Sequence, residues 1–255
     1  MGGGASRPIK FSMATQDPKP LRALMLIAVY NEGEKLRGTL QTIPENRSFD
    51  VLIVDDASTD GIGSVLRDFP YPVIRHETNS GVGRSIKTAI RYALDNGYDV
   101  FVTAAGNGKM QLHETEALLA PIRNEGIDYV QGSRYLAGGR HENIPLFRRA
   151  MIPVFTWLVW LLSGYKGTDA TCGFRAYRLE LVRRPGVNIW QEWLDKYELE
   201  YYLHYHAIKQ GLKIREVPIS MMYPPSMKNY SKIKAVTGWW SMLRPWVFLK
   251  LGLKK

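Results

Sequence analysis

Four short loops hold most of the side chains in this chain that could do chemistry: Tyr30-Asn31-Glu32, Asp55-Asp56-Ala57-Ser58, Ala105-Gly106-Asn107-Gly108-Lys109 and Ser133-Arg134-Tyr135. They combine carboxylates, amides, a hydroxyl, an ammonium and a guanidinium with glycines, a set suited to a polar ligand. Two common phosphate cradles are absent. The first turn after the first apolar run reads Tyr-Asn-Glu-Gly, not G-x-G-x-x-G, and no G-x-x-x-x-G-K-[ST] occurs. The single cysteine, Cys172, excludes an intrachain disulfide and a Cys-based zinc or iron–sulfur site. His204 and His206 lie two apart on a predicted helix and cannot share a ligand. His76, His113 and His141 show no partner pattern, and Tyr197, Tyr201, Tyr202, Tyr205, Met221 and Met222 read as packing residues.

The loops sit between regularly alternating elements. Leu21–Val29, Val51–Val54, Pro72–His76, Asp99–Ala104 and Ile127–Gly132 are apolar runs of strand length. Between them, Glu34–Ile43, Val82–Asn96 and Glu114–Glu125 have helical spacing, and Ser58-Thr59-Asp60-Gly61 has the chemistry of a helix N-cap. Ile86, Ala89, Ile90, Ala93 and Leu94 share one helix face, which Gly97 ends. Strands alternating with helices predict a mostly parallel α/β sheet covered on both faces. Ligands of such sheets bind at the carboxyl ends of the strands, where all four loops fall.

In this order the loops resemble the inverting family 2 glycosyltransferases of the GT-A (Rossmann-like) fold, in particular those that use polyprenyl phosphates, such as the dolichol-phosphate mannosyltransferases. Ala28-Val29-Tyr30-Asn31-Glu32 resembles P-x-Y-N-E, and Val54 to Gly61 follows V-D-D-x-S-x-D-G. Asn79 to Gly83 follows N-x-G-x-G, Gly132 to Tyr135 follows G-S-R-[YF], and Asp169 to Arg175 follows D-x-T-S-G-F-R with Cys172 in the serine's place. Glu216-Val217-Pro218-Ile219 and Ser231-Lys232 match the late E-V-P-I and S-K elements. The resemblance spans residues 22 to about 234.

One departure stands out. The family carries D-x-D at the end of the fourth strand, where carboxylates hold Mg²⁺ or Mn²⁺ against the donor diphosphate. Here Ala105, Gly106 and Asn107 align, followed by Gly108 and Lys109, and no carboxylate remains. A hard divalent ion wants anionic oxygens, and the Asn107 amide is a poor substitute. Two readings stay open. Lys109 supplies the charge, with the Gly106 and Gly108 amides as an anion nest, and no cofactor is required. Alternatively, Mg²⁺ or Mn²⁺ binds weakly through the diphosphate, Asn107 and water.

The resemblance implies the remaining roles. Ala28, Tyr30, Glu32, Val54 and Asp56 would form the pocket for a UDP- or GDP-sugar, with Asp56 accepting from base or ribose. Asp55 reads instead as a cap. Gly106, Asn107, Lys228 and Lys232 would meet the donor, and Arg134 would reach its phosphates or form a surface ion pair. Asp169 would be the general base for an alcohol acceptor; for a phosphate acceptor it would orient Arg175 or a sugar hydroxyl. Arg175 and Glu198 would lie on the acceptor side, and the acceptor expected is a polyprenyl or dolichyl phosphate. A non-catalytic sugar-nucleotide-binding subunit that lost its metal motif is the alternative.

The 255 residues carry 34 Lys+Arg against 24 Asp+Glu, a formal charge of +10, with 45% apolar residues. That composition excludes disordered and collagenous classes. No acidic residue follows Glu216, whereas Lys228, Lys232, Lys234, Arg244, Lys250, Lys254 and Lys255 do. No nucleic-acid motif accompanies this charge. Trp239, Met242, Leu243, Trp246, Leu249 and Leu253 recur at helical spacing with it, as in an interfacial helix on an anionic membrane. A C-terminal helix packed on the core fits the same pattern. The longest apolar run, Ala150–Leu162, has 13 residues and includes Pro153 and Thr156. It falls short of the ~18–20 that a spanning helix needs, so the expectation is peripheral attachment at the cytoplasmic face of a membrane. Residues 1–20 read as a flexible tail, 21–230 as the glycosyltransferase domain and 231–255 as the membrane-surface segment. Met1-Gly2 with Ser6 fits a myristoylation pattern or a glycine-rich leader.

Overall fold

The computed structural model describes residues 20–225 and 237–255. Its strands are β1 (Ala23–Val29), β2 (Asp50–Asp55), β3 (Val73–Arg75), β4 (Val100–Ala105), β5 (Tyr129–Ser133), β6 (Arg140–Glu142), β7 (Arg175–Arg178), β8 (Ile214–Pro218) and β9 (Ser220–Met222). Its α-helices are α1 (Glu34–Gln41), α2 (Gly63–Arg67), α3 (Val82–Asp95), α4 (Thr115–Asn124), α5 (Leu146–Ser163), α6 (Glu198–Lys209) and α7 (Thr237–Lys250). Seven strands form one sheet in the order β3-β2-β1-β4-β7-β5-β8. β7 alone runs antiparallel to its neighbours, β4 and β5. β6 and β9 pair separately, and Met110 bridges to Met221 beside them.

The buried runs are near-continuous because both sheet faces are covered. Met25, Ile27 and Val29 of β1 face α1, α2 and α4, while Leu24 and Leu26 face α3 and α6. A third cluster joins Phe155 and Val159 of α5, Tyr201 and Tyr205 of α6, and Met242 and Trp246 of α7. The Trp239–Leu249 stripe, expected to meet a membrane, therefore turns inward: Trp246 is fully buried, and Trp239, Leu243 and Leu249 pack against the same cluster.

Two more expectations change. Ser58-Thr59-Asp60-Gly61 does not cap a helix, since α2 starts at Gly63 without a side-chain cap. Ser58 Oγ and Asp60 Oδ2 instead accept from the Asn31 and Gly33 amides at 2.9 and 2.8 Å, tying the first loop to the second. Ala57, at φ 64°, turns the chain back to allow this. The apolar run around Pro153 also extends further than its sequence suggested. α5 has 18 residues, about 27 Å of helix, with mean hydropathy 1.3, which is long and apolar enough to cross a membrane by length and composition. Only Ile152, Phe155, Thr156 and Val159 are buried, while Leu146, Phe147, Val154, Trp157, Trp160 and Leu161 are exposed.

Candidate functional site

The parallel register brings the ends of β1, β2 and β4 to one edge. Asp56 follows β2 there, 4% exposed, its amide bonded to Val29 O at 2.9 Å. Its Oδ1 accepts from His76 Nδ1 at 2.8 Å and Ser80 N at 3.0 Å, and its Oδ2 from Gly81 N at 2.8 Å. His76, expected to lack a partner, thus has one; it directly follows β3, whose parallel pairing with β2 sets Arg75 beside Asp55 and so His76 beside Asp56, a contact that spacing does not reveal. Asp55 holds the turn, accepting from Ser58 N and from Arg75 Nη1, both at 2.9 Å. The glycines of N-x-G-x-G serve packing: a Cβ on Gly83 would lie 2.1 Å from Leu194 O, and one on Gly81 2.5 Å from Asp195 O. They let α3 dock on the segment that leads into α6. Val54 is wholly buried among apolar side chains and Ala28 packs against the same cluster. Tyr30 and Glu32 are half-buried.

The loop after β4 contradicts the anion nest. Gly106 N donates to Ala28 O at 3.0 Å and Gly108 N to Thr39 Oγ1 at 2.9 Å, so both amides are engaged within the fold. Gly106 is needed for close packing, because a Cβ there would meet Leu36 Cδ1 at 2.8 Å. The loop instead presents a buried ammonium. Lys109 is 8% exposed, with Nζ 5.4 Å from the centre of the Tyr223 ring. Burial pushes its pKa down to about 8; Arg148, Lys35 and Arg134 push the same way and Glu32 opposes them. Asn107 Oδ1 accepts from Lys109 N at 3.3 Å.

Asp169 and Arg134 form the second centre. Oδ2 accepts from Arg134 Nε at 2.6 Å and Arg134 N at 3.2 Å. Oδ1 accepts from Arg134 Nη2 at 2.7 Å, Thr171 Oγ1 at 2.9 Å and Thr171 N at 3.2 Å. Asp169 is fully buried and Arg134 nearly so. Burial opposes the guanidinium charge and Asp169 more than restores it, so the Arg134 pKa is raised. Arg134 Nη1 also donates to the Tyr223 hydroxyl at 3.1 Å. Glu216 of the E-V-P-I element accepts from Thr168 N and Oγ1 at 2.8 Å and Asp169 N at 3.1 Å, holding this loop against β8.

This geometry corrects three expectations. Asp169 has its lone pairs taken by the chain and does not stand as an open base. It orients Arg134, not Arg175, and Arg134 is a buried pair, not a surface one. Arg175 is enclosed, donating to the carbonyls of Cys172 (2.7 Å), Glu200 (2.9 Å) and Ala170 (3.1 Å) and to the Tyr129 hydroxyl (3.0 Å). Glu198 pairs with Arg244 of α7 and accepts from Ser241 Oγ, both at 2.5 Å, fastening α6 to α7. Lys228 and Lys232 lie outside the described residues.

The glycosyl transferase family 2 model matches residues 25–184. The chain belongs to this family. It is a glycosyltransferase of the GT-A fold. It is similar to the undecaprenyl-phosphate mannosyltransferase of Micrococcus luteus, 32% identical over 211 residues that cover 79% of this chain and 84% of that one. It also resembles the polyprenol monophosphomannose synthase of Mycolicibacterium smegmatis, 29% identical over 218 residues and 81% of each chain. Among solved structures, glucosyl-3-phosphoglycerate synthase of Mycobacterium tuberculosis with Mn²⁺, UDP and its product superposes with a TM-score of 0.63. That match has 14% identity and covers 93% of this chain and 82% of that one, and it speaks for the fold alone.

In this glycosyltransferase the loop after β4 does not fit a divalent ion held by protein ligands. Its donor set is one amide oxygen beside an ammonium, and no group of three His, Cys, Asp or Glu among the described residues is placed to hold a metal. Two residues escaped the reading of the sequence. Arg148, in the first turn of α5, is the largest charge acting on Lys109, yet it lies in none of the recognised motifs. Glu200 is half-buried, its pKa raised by burial. Its Oε1 would lie 3.1 Å from a Cβ on Gly173, beside the end of β4. The E-x-E pair Glu198/Glu200 was the available signal.

Proposed function

We propose that this glycosyltransferase moves a sugar from a UDP- or GDP-sugar to a polyprenyl or dolichyl phosphate by inverting displacement, with Lys109 in place of a protein-held metal. The acceptor phosphate oxygen bonds to the anomeric carbon from the face opposite the leaving group. The bond from that carbon to the donor's diphosphate breaks, and the nucleoside diphosphate leaves with the electron pair. The single observation that carries the reading is the Lys109 ammonium, buried at the loop where relatives of the same pattern have carboxylates, with Arg148, Lys35 and Arg134 as the other cations acting on it. Four cations suit two phosphate-bearing substrates. Saturation of Asp169 supports a phosphate over an alcohol, because a phosphate with a second pKa of about 6 is already largely anionic and needs no base. Tyr30, Glu32 and Asp56 would receive the nucleoside, as the family pattern implies.

The exposed face of α5 supports a lipid acceptor. Trp157, Trp160 and Leu161 project from it, Arg148 and Arg149 sit at its start, and Lys250 and Lys166 flank it. Trp and Leu with basic neighbours suit the boundary of an anionic bilayer. Transfer assays with UDP- and GDP-sugars, pairing undecaprenyl or dolichyl phosphate against the free polyprenol, with EDTA or Mn²⁺, test the proposal. Product on the phosphate alone, persisting in EDTA, is expected. Product on the alcohol, or complete loss in EDTA restored by Mn²⁺ or Mg²⁺, overturns it.

A further inference from the structure

Resting on the reading of Asp56 as a nucleotide contact, we infer that His76 is a positioning residue for the donor, acting through that carboxylate. The ring of His76 spans two elements: Nδ1 lies 2.8 Å from Asp56 Oδ1 and Nε2 lies 2.9 Å from Thr88 Oγ1 of α3. Its backbone is held as well, since His76 N donates to Asp55 O at 2.9 Å. A carboxylate can only accept, so Nδ1 carries the proton, and in the neutral ring Nε2 accepts from the Thr88 hydroxyl. The ring is therefore fixed at both ends and cannot turn without losing a bond.

The consequence is a count of lone pairs. Two carboxylate oxygens offer about four acceptor positions. His76 and the Ser80 amide fill Oδ1, and the Gly81 amide takes one position on Oδ2. A single acceptor position on Oδ2 is left for a ligand's N–H or hydroxyl. The Ser80 and Gly81 amides belong to a turn whose place is set by the docking of Gly81 and Gly83 on residues 194–196. They hold the carboxylate from one side. His76 holds it from the other, so its removal frees Asp56 to rotate and blurs the direction of the one position a nucleoside would use.

UDP and GDP, titrated by calorimetry into the full chain, test this. The variants are His76→Phe, His76→Asn, Thr88→Val, Asp56→Asn and the double variant His76→Phe/Asp56→Asn, with thermal melting to confirm folding. His76→Phe is expected to weaken the bound nucleotide about tenfold, the scale of one hydrogen bond. Thr88→Val should weaken it about threefold. His76→Asn should restore most of the loss, because its amide N–H reaches Asp56 from near the Nδ1 position. In the Asp56→Asn background His76→Phe should add less than twofold, since it acts through that carboxylate. If Asp56→Asn weakens binding while folded His76→Phe does not, the positioning role fails and the pocket stands. Equal losses for Phe and Asn, or additive losses in the double variant, also overturn it. If Asp56→Asn and His76→Phe both leave binding unchanged, the pocket reading itself falls. Should His76→Phe not fold, Thr88→Val and His76→Asn decide by the same criteria.

Discussion

Asp56 and Asp169 sit at two ends of one sheet edge and invite comparison. Both are buried aspartates in loops, and both belong to motifs of the same family pattern. Around Asp56 the donors are backbone amides and one imidazole, and one acceptor position is left. Around Asp169 five hydrogen bonds, three of them from Arg134, leave none. The difference teaches that a carboxylate in a site motif is not thereby a catalyst. On the proposed reading one end receives a ligand, while the other holds a guanidinium still.

The comparison breaks if the two carboxylates respond alike to mutation. Arg134→Met strands a buried charge, which costs about 3–5 kcal/mol, so the melting temperature should fall by roughly 10 °C and transfer should vanish. Asp56→Asn should move the melting point by only a few degrees and appear in nucleotide binding instead. Equal melting shifts would erase the distinction.

Lys109, which lies between the two ends, sharpens it. Lys109→Met should lower transfer by about 10²–10³, as for loss of a charge-stabilising donor. Its pKa of about 8 predicts a pH dependence. As pH rises through 8 the ammonium loses its proton and its charge, so UDP or GDP affinity should decline on the alkaline side. Lys109→Arg, protonated throughout, should abolish the decline around pH 8. A flat profile in the natural chain would remove Lys109 from the phosphate site.

Gly83→Ala probes how the Asp56 end is held. Its Cβ would overlap Leu194 O, and overpacking costs about 1–3 kcal/mol, so a lower melting point and weaker nucleotide binding should appear together. The smallest effect on stability belongs to the outer face of α5. Trp157→Glu should leave melting within about 0.5 kcal/mol of the natural chain while reducing co-sedimentation with anionic vesicles. Unchanged sedimentation would detach the Asp169 end from any lipid surface.

The alternation of strands and helices was legible because apolar runs buried on both faces differ plainly from amphipathic helices. The loops at the strand ends followed from that alternation, whereas the loss of carboxylates after β4 showed only through the resemblance to a family that carries D-x-D there. The antiparallel insertion of β7 was not legible: its four residues, Arg175–Arg178, carry two arginines and no apolar run. Nor was α7's choice of face, because a Trp and Leu stripe serves a membrane or a core equally well, and Tyr201, Tyr205 and Phe155 supplied the core.

Local order along the chain, then, determined which elements form and which loops share an edge, since hydrophobic period and turn chemistry act over a few residues. Only the folded chain decided which donors reach which acceptors. Arg134 meets Asp169, His76 meets Asp56 and Glu198 meets Arg244 across 35, 20 and 46 positions. Hydrogen-bond saturation is a property of three-dimensional neighbours, and it is what separates a residue that binds from one that braces.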